Sequence, residues 1–184
     1  MLIVARYNED ISWVKPLNIP HIIYNKGEEI LDKTLNIKTL SNIGRESNTY
    51  INYIIEHYNN LPENIIFSQG NPFPHCHNFI ELIKNYEDND SILNLSHWIV
   101  TEDLEGRPHA YGYGMVPMLE TLNIPLTVSN FIFPAGAQFI INKRFILNKP
   151  LSWWEEVLYK HDKNELSPWI FERLWPLIFN YSCI

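Results

Sequence analysis

The sequence predicts an α/β fold in which a mostly parallel β-sheet carries helices on its faces. Short apolar runs alternate with helix-like segments, and the early apolar runs end in polar loops, two of which contain glycine. The composition, 46% hydrophobic and 19% charged residues, is typical of a globular protein. Because 184 residues is close to the usual size of one domain, we expect residues 1–184 to form a single domain.

The chain is predicted to begin with a strand, a short helix and a second strand. LIVA, at residues 2–5, and HIIYNKG, which starts at residue 21, each place a continuous apolar run before a polar loop. Such runs are typical of strands that are buried on both faces. Residues 11–15 fit a short helix that ends near Lys15, because Pro16 disfavours helical geometry in the residue before it.

The long amphipathic segment that follows SNIGRE is predicted to be a helix. Its apolar residues between positions 50 and 58 follow i, i+3, i+4, i+7 spacing, and Ser47 or Asn48 is available as an N-cap. Pro62 ends this helix. Residues 65–68 then form the third predicted strand, which again leads into a glycine turn.

The second half continues the alternation and then becomes helical. We expect a helix at about 78–86, an acidic turn at 87–90 and a strand at 92–95. A loop excursion at 101–117 is followed by predicted strands at 127–133 and 138–141. The last predicted elements are the helix SWWEEVLYKH and the helix SPWIFERLWPLIF, with Ser167 as the cap of the second and Pro168 in its first turn.

Four polar segments are expected to meet at one edge of the sheet. RYNED, NKG and SQGNPFPH each follow a predicted strand, and SNIGRE precedes the long helix. Ligands of open parallel sheets bind outside the carboxyl ends of the strands. These four segments are therefore the predicted site.

SNIGRE has the residues of an anion-binding turn. Gly44 would allow a tight turn, and Arg45 could make paired hydrogen bonds to a phosphate or carboxylate near the N-terminus of the following helix. Glu46 could hold a ribose hydroxyl or fix Arg45. The alternative is that Glu46 and Ser47 only cap the helix while Arg45 is solvated.

Metal-binding interpretations of the chain have simpler alternatives. His75 and His77 flank Cys76, but this spacing matches no known zinc pattern, and a polar rim with a buried cysteine explains it. The acidic run at 87–90 could bind Mg²⁺ or Mn²⁺, or it could be a solvated turn. Cys76 and Cys183 are far apart, so neither a zinc ribbon nor a disulfide framework is indicated.

Near the C-terminus, Glu172 and Arg173 lie within an aromatic helix. A carboxylate that is partly buried among aromatic rings would have a raised pKa, which suits a general base. The alternative is an ion pair with helix neighbours.

Charge and motif content exclude several classes of protein. The formal net charge of −7 and the lack of a basic run argue against nucleic-acid binding. No GxSxG, HExxH, Walker or GxGxxG motif is present, which removes the main support for serine hydrolases, zincins, P-loop enzymes and dinucleotide oxidoreductases. The N-terminal apolar run is too short for a signal peptide or membrane span, so we expect a cytoplasmic protein.

Several blocks of the sequence, in the same order, resemble the uncharacterised family labelled domain of unknown function 3431. The blocks are VARYNEDISW, IIYNKG, NIGRESNTYINYI, IFSQGNPFPH, PAGAQFIINKRFI and PWIFERLW. The resemblance runs from residue 3 to about residue 180. It implies a relation to glycosyltransferases of the A fold, which have a single Rossmann-like α/β domain that binds a nucleotide sugar.

The resemblance also implies roles for residues. The nucleotide-sugar cleft would be lined by Arg6, Asn8, Glu9, Asn25, Lys26, Gly44, Arg45, Glu46, Gln69, Gly70 and Asn71. Gln138 would face the donor or acceptor sugar, and Glu172 would be the base that deprotonates the acceptor. SQGN stands where such enzymes usually carry an acidic DxD motif that binds Mn²⁺ or Mg²⁺. Because SQGN lacks a carboxylate, Asn71 or His75 would have to help bind a metal or replace its charge.

The function that follows is transfer of a sugar from a nucleotide diphosphate to the hydroxyl of a glycan or small molecule. A second hypothesis is a non-catalytic protein that keeps the nucleotide- or carbohydrate-binding cleft without the DxD carboxylates. A third is a metal-dependent hydrolase that uses His75, His77 and the acidic turn.

Overall fold

A computed structural model of the protein describes residues 1–87, 91–125 and 129–180. The strands are β1 (Leu2–Arg6), β2 (His21–Asn25), β3 (Ile37–Thr39), β4 (Asn64–Gln69), β5 (Leu93–Asn94), β6 (Ile99–Asp103), β7 (Asn130–Pro134) and β8 (Phe139–Asn142). The α-helices are α1 (Arg45–His57), α2 (Phe79–Lys84), α3 (Met115–Thr121), α4 (Lys143–Leu147), α5 (Leu151–His161) and α6 (Ser167–Ile178), and 3₁₀ helices span Ser12–Leu17 and Tyr58–Asn60.

The central sheet has six strands in the order β3-β2-β1-β4-β8-β5. The first four strands are parallel to one another, whereas β8 runs antiparallel to both β4 and β5. Strands β6 and β7 form a separate antiparallel pair. The predicted α/β fold with a mostly parallel sheet and flanking helices is confirmed.

Both faces of the sheet are covered, which explains why its strands are apolar without interruption. Leu2 and Val4 pack on one face with Trp13 of the first 3₁₀ helix and Phe79 of α2. Ile3 belongs to the larger cluster on the other face, which includes side chains of α1, α3, α5 and α6. The alternation of side chains along a strand sends neighbouring apolar residues to opposite cores.

The predicted end of the first short helix near Lys15 is wrong. The 3₁₀ helix continues through Pro16 to Leu17, and the Asn18 amide donates to the Lys15 carbonyl at 3.3 Å to close it. This closing bond does not need the N–H that proline lacks.

The predicted caps of two helices are also wrong. Helix α1 begins at Arg45, and its N-cap is Gly44 in the left-handed conformation, so Ser47 and Asn48 lie inside the helix. Helix α6 has Leu166 at the N-cap position, and the buried Ser167 is already helical. In α1 the side chains proposed as caps bond to distant parts of the chain, as described below. Proline does lie in the first turn of α6, as expected.

The loop excursion predicted for residues 101–117 is regular at both ends. Its first residues belong to β6, which pairs with β7, and its last residues begin α3. Tertiary pairing and burial of Met115, Met118 and Leu119 in the larger core override the lack of periodicity. Helix α4 was not predicted. Residues 88–90 of the acidic turn and residues 127–128 of the strand predicted at 127–133 lie outside the described residues.

Candidate functional site

The topology of the sheet creates a crevice at the carboxyl ends of β1 and β4. From β1 the chain passes to β2 on one side, and β4 later joins β1 on the other side. Ligands of open α/β sheets bind at such a reversal of strand order. A cleft of about 380 Å³ lies there. It is lined by Ala5, Arg6, Tyr7, Glu9, Lys26, Asn42, Arg45, Glu46, Gln69 and Asn71, so the four polar segments meet at one place.

Arg6 ties the RYNED and NKG loops together. Its Nη1 atom donates to Asn25 Oδ1 at 2.6 Å and to the Glu28 carbonyl at 3.0 Å, while Nε donates to the Glu9 carbonyl at 3.0 Å. Asn8 Oδ1 adds a second tie by accepting from the Glu28 amide at 2.8 Å. Among the described residues, Arg6 Nη2 has no hydrogen-bond partner, so its N–H groups remain available beside the cleft.

Lys26 fixes the SNIGRE turn by donating hydrogen bonds to its backbone. Its ammonium group donates to the carbonyls of Ile43 and Arg45, both at 2.6 Å, and to Asn48 Oδ1 at 3.0 Å. These three bonds use all three protons of the group. Burial lowers the pKa of Lys26 to about 8, against the effect of nearby carboxylates, so the group is protonated at neutral pH. Lys26 therefore brings a fixed positive charge to the cleft and shapes its rim.

A buried polar network supports the same turn from the side of α5. His161 Nε2 lies 2.8 Å from Ser47 Oγ and His161 Nδ1 lies 2.9 Å from Asp162 Oδ1, which also accepts from Asn48 Nδ2 at 2.8 Å. The φ of Gly44 is +62°, and a Cβ at this position would lie 2.2 Å from the His161 ring. Burial lowers the pKa of His161, and the hydrogen bond to Asp162 opposes this. Although serine, histidine and aspartate follow one another here, Ser47 is fully buried, so the network is structural.

Arg45 lines the cleft, and its only side-chain contact of a polar kind among the described residues is with an aromatic ring. Its guanidinium carbon lies 5.2 Å from the centre of the Trp169 ring on α6. Within the part of the chain that the structure describes, the side chain makes no hydrogen bond or ion pair, and the residue is exposed. A cation–π contact with an indole holds a guanidinium in place without using its N–H donors.

Glu46, the next residue after Arg45, also lines the cleft. The residue as a whole is partly buried, but its carboxyl group is shielded from water. This burial raises the pKa of Glu46 to about 7. Its own backbone amide and the charges of Arg45 and Lys26 lower the pKa, whereas the charge of Glu172 raises it further. The pKa of Glu46 is therefore shifted into the neutral range.

Glu172 lies on α6, three residues after Trp169 and hence on the same face of the helix. Its Oε1 atom accepts from the Gly136 amide at 2.5 Å, and its Oε2 atom lies 3.4 Å from Nη1 of Arg173. Arg173 is itself paired with the buried Glu102. The Gly136 amide and the Arg173 guanidinium thus orient the carboxylate that was predicted to be the base.

Gln138 lies behind the cleft. It is fully buried, and its Nε2 atom donates to the carbonyls of Pro72 and Leu95, each at 3.2 Å. Its Oε1 atom accepts from the Gln69 amide at 3.4 Å. This geometry gives Gln138 a bracing role at the end of β4, directly behind Gln69 of the cleft.

The SQGN segment offers amide oxygens and no carboxylate. Gly70 packs so tightly on Glu9 that a Cβ would lie 2.6 Å from Glu9 Oε2, and that oxygen accepts from the Tyr7 amide at 2.7 Å. Asn71 is exposed at the rim. Residues 1–87, 91–125 and 129–180 contain no group of three His, Cys, Asp or Glu side chains that could hold a metal ion.

Sequence reasoning missed the support of the turn. Ser47 and Asn48 bond to residues 114 positions away, and no local pattern marks such a contact. The local signal for Lys26 was its position directly after the apolar run of β2.

Comparison with known proteins identifies the family of the chain. The model of a family described as "Protein of unknown function (DUF3431)" matches residues 2–106, a range that includes all four segments of the cleft. No curated protein and no solved structure gives a significant match. Among the described residues, no helix is long and apolar enough to cross a membrane. Because the family model covers more than half of the 184 residues, the chain belongs to the DUF3431 family of proteins of unknown function.

Proposed function

We propose that the protein is a glycosyltransferase that moves a sugar from a nucleotide-diphosphate donor to an acceptor hydroxyl. The observation that carries this proposal is the state of Arg45. Its guanidinium lies over the Trp169 ring, is not hydrogen-bonded within the described residues, and lines a cleft at the reversal point of the sheet. A planar fork of free N–H donors at that place fits a phosphate group.

The positive charges of the cleft suit a diphosphate leaving group. Arg45 and the free Nη2 of Arg6 can donate hydrogen bonds, and Lys26 adds a charge that cannot move away because all its protons are bonded. Charges that are fixed before the reaction stabilise the negative charge that develops as the sugar leaves. A divalent cation bound with the donor would supply further neutralisation.

Glu172 supports the chemical step. In the proposed reaction, Glu172 accepts the proton of the acceptor hydroxyl, and the hydroxyl oxygen bonds to the anomeric carbon of the sugar. The bond from that carbon to the diphosphate oxygen breaks, and the diphosphate leaves with the electron pair. The Gly136 amide and Arg173 orient the carboxylate for this role.

A non-catalytic nucleotide- or carbohydrate-binding protein is the second candidate. It is favoured by the SQGN segment, which has no carboxylate. Such a protein would keep the cleft and bind the donor without turnover.

Release of nucleotide diphosphate from a panel of nucleotide sugars, with mixed acceptors and with or without Mn²⁺, tests the proposal. We expect Glu172→Gln to lower turnover by about 10²–10⁴-fold while nucleotide binding is kept. Glu156→Gln, on the exposed side of α5, is the matched control and should retain turnover. Unchanged turnover in Glu172→Gln would rule out the base assignment. Donor binding without turnover by the unmodified protein, across the panel, would establish the binding-protein alternative.

A further inference from the structure

The carboxyl group of Glu46 lines the cleft without a partner from another side chain. Among the described residues it makes no hydrogen bond or ion pair with another residue, and it accepts a hydrogen bond only from its own backbone amide. That amide lies in the first turn of α1, a helix of 13 residues. The carboxyl group is therefore fixed at the N-terminal end of α1, where the helix borders the cleft.

Charged groups from several elements surround this carboxyl group. Arg45 precedes Glu46 on α1, Lys26 follows β2 and Glu172 lies on α6, and the charge of each acts on the Glu46 carboxyl. Burial outweighs the effect of the two cations, so the pKa of Glu46 is raised to about 7. Tyr50 lies one turn further along α1, and its buried hydroxyl has no hydrogen-bond partner among the described residues. The other ionisable side chains of this region are Arg6 and Glu9 in the cleft lining and His161 and Asp162 near Lys26.

A phosphate group held by Arg45 would lie beside Glu46. The two residues are consecutive, and both line the cleft of about 380 Å³. The N–H donors of Arg45 and the N-terminus of α1 both favour an anion at this place. A phosphate bound there adds negative charge next to the Glu46 carboxyl, and a like charge close by disfavours ionisation of a carboxyl group. The ligand therefore favours the neutral form of Glu46, which has an O–H group that can donate a hydrogen bond.

We propose that Glu46 binds the diphosphate of the nucleotide sugar as a neutral acid, which donates a hydrogen bond to a phosphate oxygen and takes up its proton from solvent on binding. The inference rests on the proposed function and specifies which group of the donor contacts Glu46. The ribose role considered for Glu46 makes the opposite prediction. A carboxylate that accepts hydrogen bonds from ribose hydroxyls is favoured in its ionised form, so the ligand would release a proton.

Proton uptake and ligand affinity are linked. A ligand that favours the protonated form of Glu46 binds more tightly, by the same factor, when Glu46 is already protonated. Because the pKa of Glu46 in the free protein is about 7, the affinity for the diphosphate should fall as the pH rises through about 7. Lys26, whose pKa is about 8, adds a loss of affinity at higher pH that does not involve Glu46.

Isothermal titration calorimetry in buffers that differ in ionisation enthalpy counts the protons taken up per bound ligand. The probes are sugar esters of uridine, guanosine, cytidine and thymidine diphosphates, whose phosphates are fully ionised at neutral pH. The unmodified protein is compared with Glu46→Gln, which keeps an N–H donor but does not titrate, and with Glu156→Gln on the exposed side of α5. At about pH 7 we expect uptake of roughly half a proton by the unmodified protein and by Glu156→Gln, and almost none by Glu46→Gln.

The pH dependence of the affinity gives a second readout. Between about pH 6 and about pH 8, the affinity of the unmodified protein should fall about fivefold more than that of Glu46→Gln. Glu46→Met removes both the charge and the donor, so at about pH 6 it should bind the ligand several-fold more weakly than Glu46→Gln does. Equal affinity of Glu46→Met and Glu46→Gln would show that Glu46 only repels the phosphate, which overturns the hydrogen bond.

The outcomes separate this inference from the proposed function. Release of a proton, no uptake, or the same uptake in Glu46→Gln overturns the inference, even in a protein that transfers sugar. Proton uptake that is lost in Glu46→Gln, in a protein that transfers no sugar to any acceptor, supports the contact with phosphate and contradicts the proposed glycosyltransferase. Absence of binding of every probe to the unmodified protein overturns both.

Discussion

Arg173 and Glu102 form a buried two-point ion pair that joins α6 to β6. The Nε–Oε2 distance is 2.7 Å and the Nη2–Oε1 distance is 3.2 Å. Arg173 Nη1 also donates to the Trp169 carbonyl at 2.8 Å and lies next to Glu172. The pair therefore determines where the face of α6 that carries Trp169 and Glu172 lies relative to the cleft.

Removal of one partner should destabilise the fold strongly. We expect Glu102→Leu to lower the free energy of unfolding by roughly 3–5 kcal/mol, because it leaves the Arg173 charge buried without its partner. The double variant Glu102→Leu with Arg173→Met should recover much of this loss. Urea unfolding of the single and double variants measures the coupling, and additive single effects would contradict it.

Gly44 should tolerate alanine much less well than Gly112 does. Both glycines have positive φ, +62° and +85°, but only Gly44 has neighbours within 4 Å of a new Cβ. We expect Gly44→Ala to destabilise the protein by roughly 1–3 kcal/mol more than Gly112→Ala, because the methyl group meets the His161 ring. Equal thermal unfolding of the two variants would show that the contact with His161 is not tight.

Glu46 should make the stability of the protein depend on pH near neutrality. Its pKa is raised from 4.5 to about 7, so the folded protein binds its proton more tightly than the unfolded chain does. The favourable contribution is complete below the unfolded pKa and is lost as the pH rises through about 7. Glu46→Gln lacks this change. Relative to Glu46→Gln, the free energy of unfolding of the unmodified protein should fall between about pH 5 and about pH 8. Parallel pH profiles of the free energy of unfolding in the two proteins would argue against a buried carboxyl.

Lys26→Met should loosen the SNIGRE turn. The change leaves the carbonyls of Ile43 and Arg45 without their buried donor, and we expect a loss of about 2 kcal/mol in the free energy of unfolding. Trypsin should then cleave after Arg45 faster than in the unmodified protein. Lys84→Met, at an exposed position of α2, is the control and should match the unmodified protein in both measurements. If Lys26→Met is as resistant as Lys84→Met, the turn does not depend on Lys26.

The sequence predicted the parts of the fold that depend on local signals. Apolar runs that end in polar loops correctly indicated β1, β2 and β4, and periodic spacing correctly indicated α1 and α2. The direction of β8 could not be predicted in this way, because periodicity does not distinguish a parallel strand from an antiparallel one.

The sequence also identified the segments of the cleft but not how their residues are used. Lys26 follows a strand, as a ligand-binding residue would, yet its protons are all bonded to the chain. The bonds of Ser47 and Asn48 to α5 and its end required knowledge of how α1 packs on α5. Gln138 lies next to an apolar run in the sequence, and only the packing shows that its amide faces inward.

Binding of nucleotide diphosphates to Arg45 is the most direct test of the account. Thermal unfolding is measured with uridine, guanosine, cytidine and thymidine diphosphates and their sugars, with and without Mn²⁺, for the unmodified protein, Arg45→Ala and Arg107→Ala. Arg107 is the matched control, an exposed arginine whose guanidinium also lies over an aromatic ring. A ligand that binds the native state raises the unfolding temperature. We predict a rise with one nucleotide that is lost in Arg45→Ala and kept in Arg107→Ala, whereas no rise with any nucleotide, or an equal rise in both variants, would contradict the proposed site.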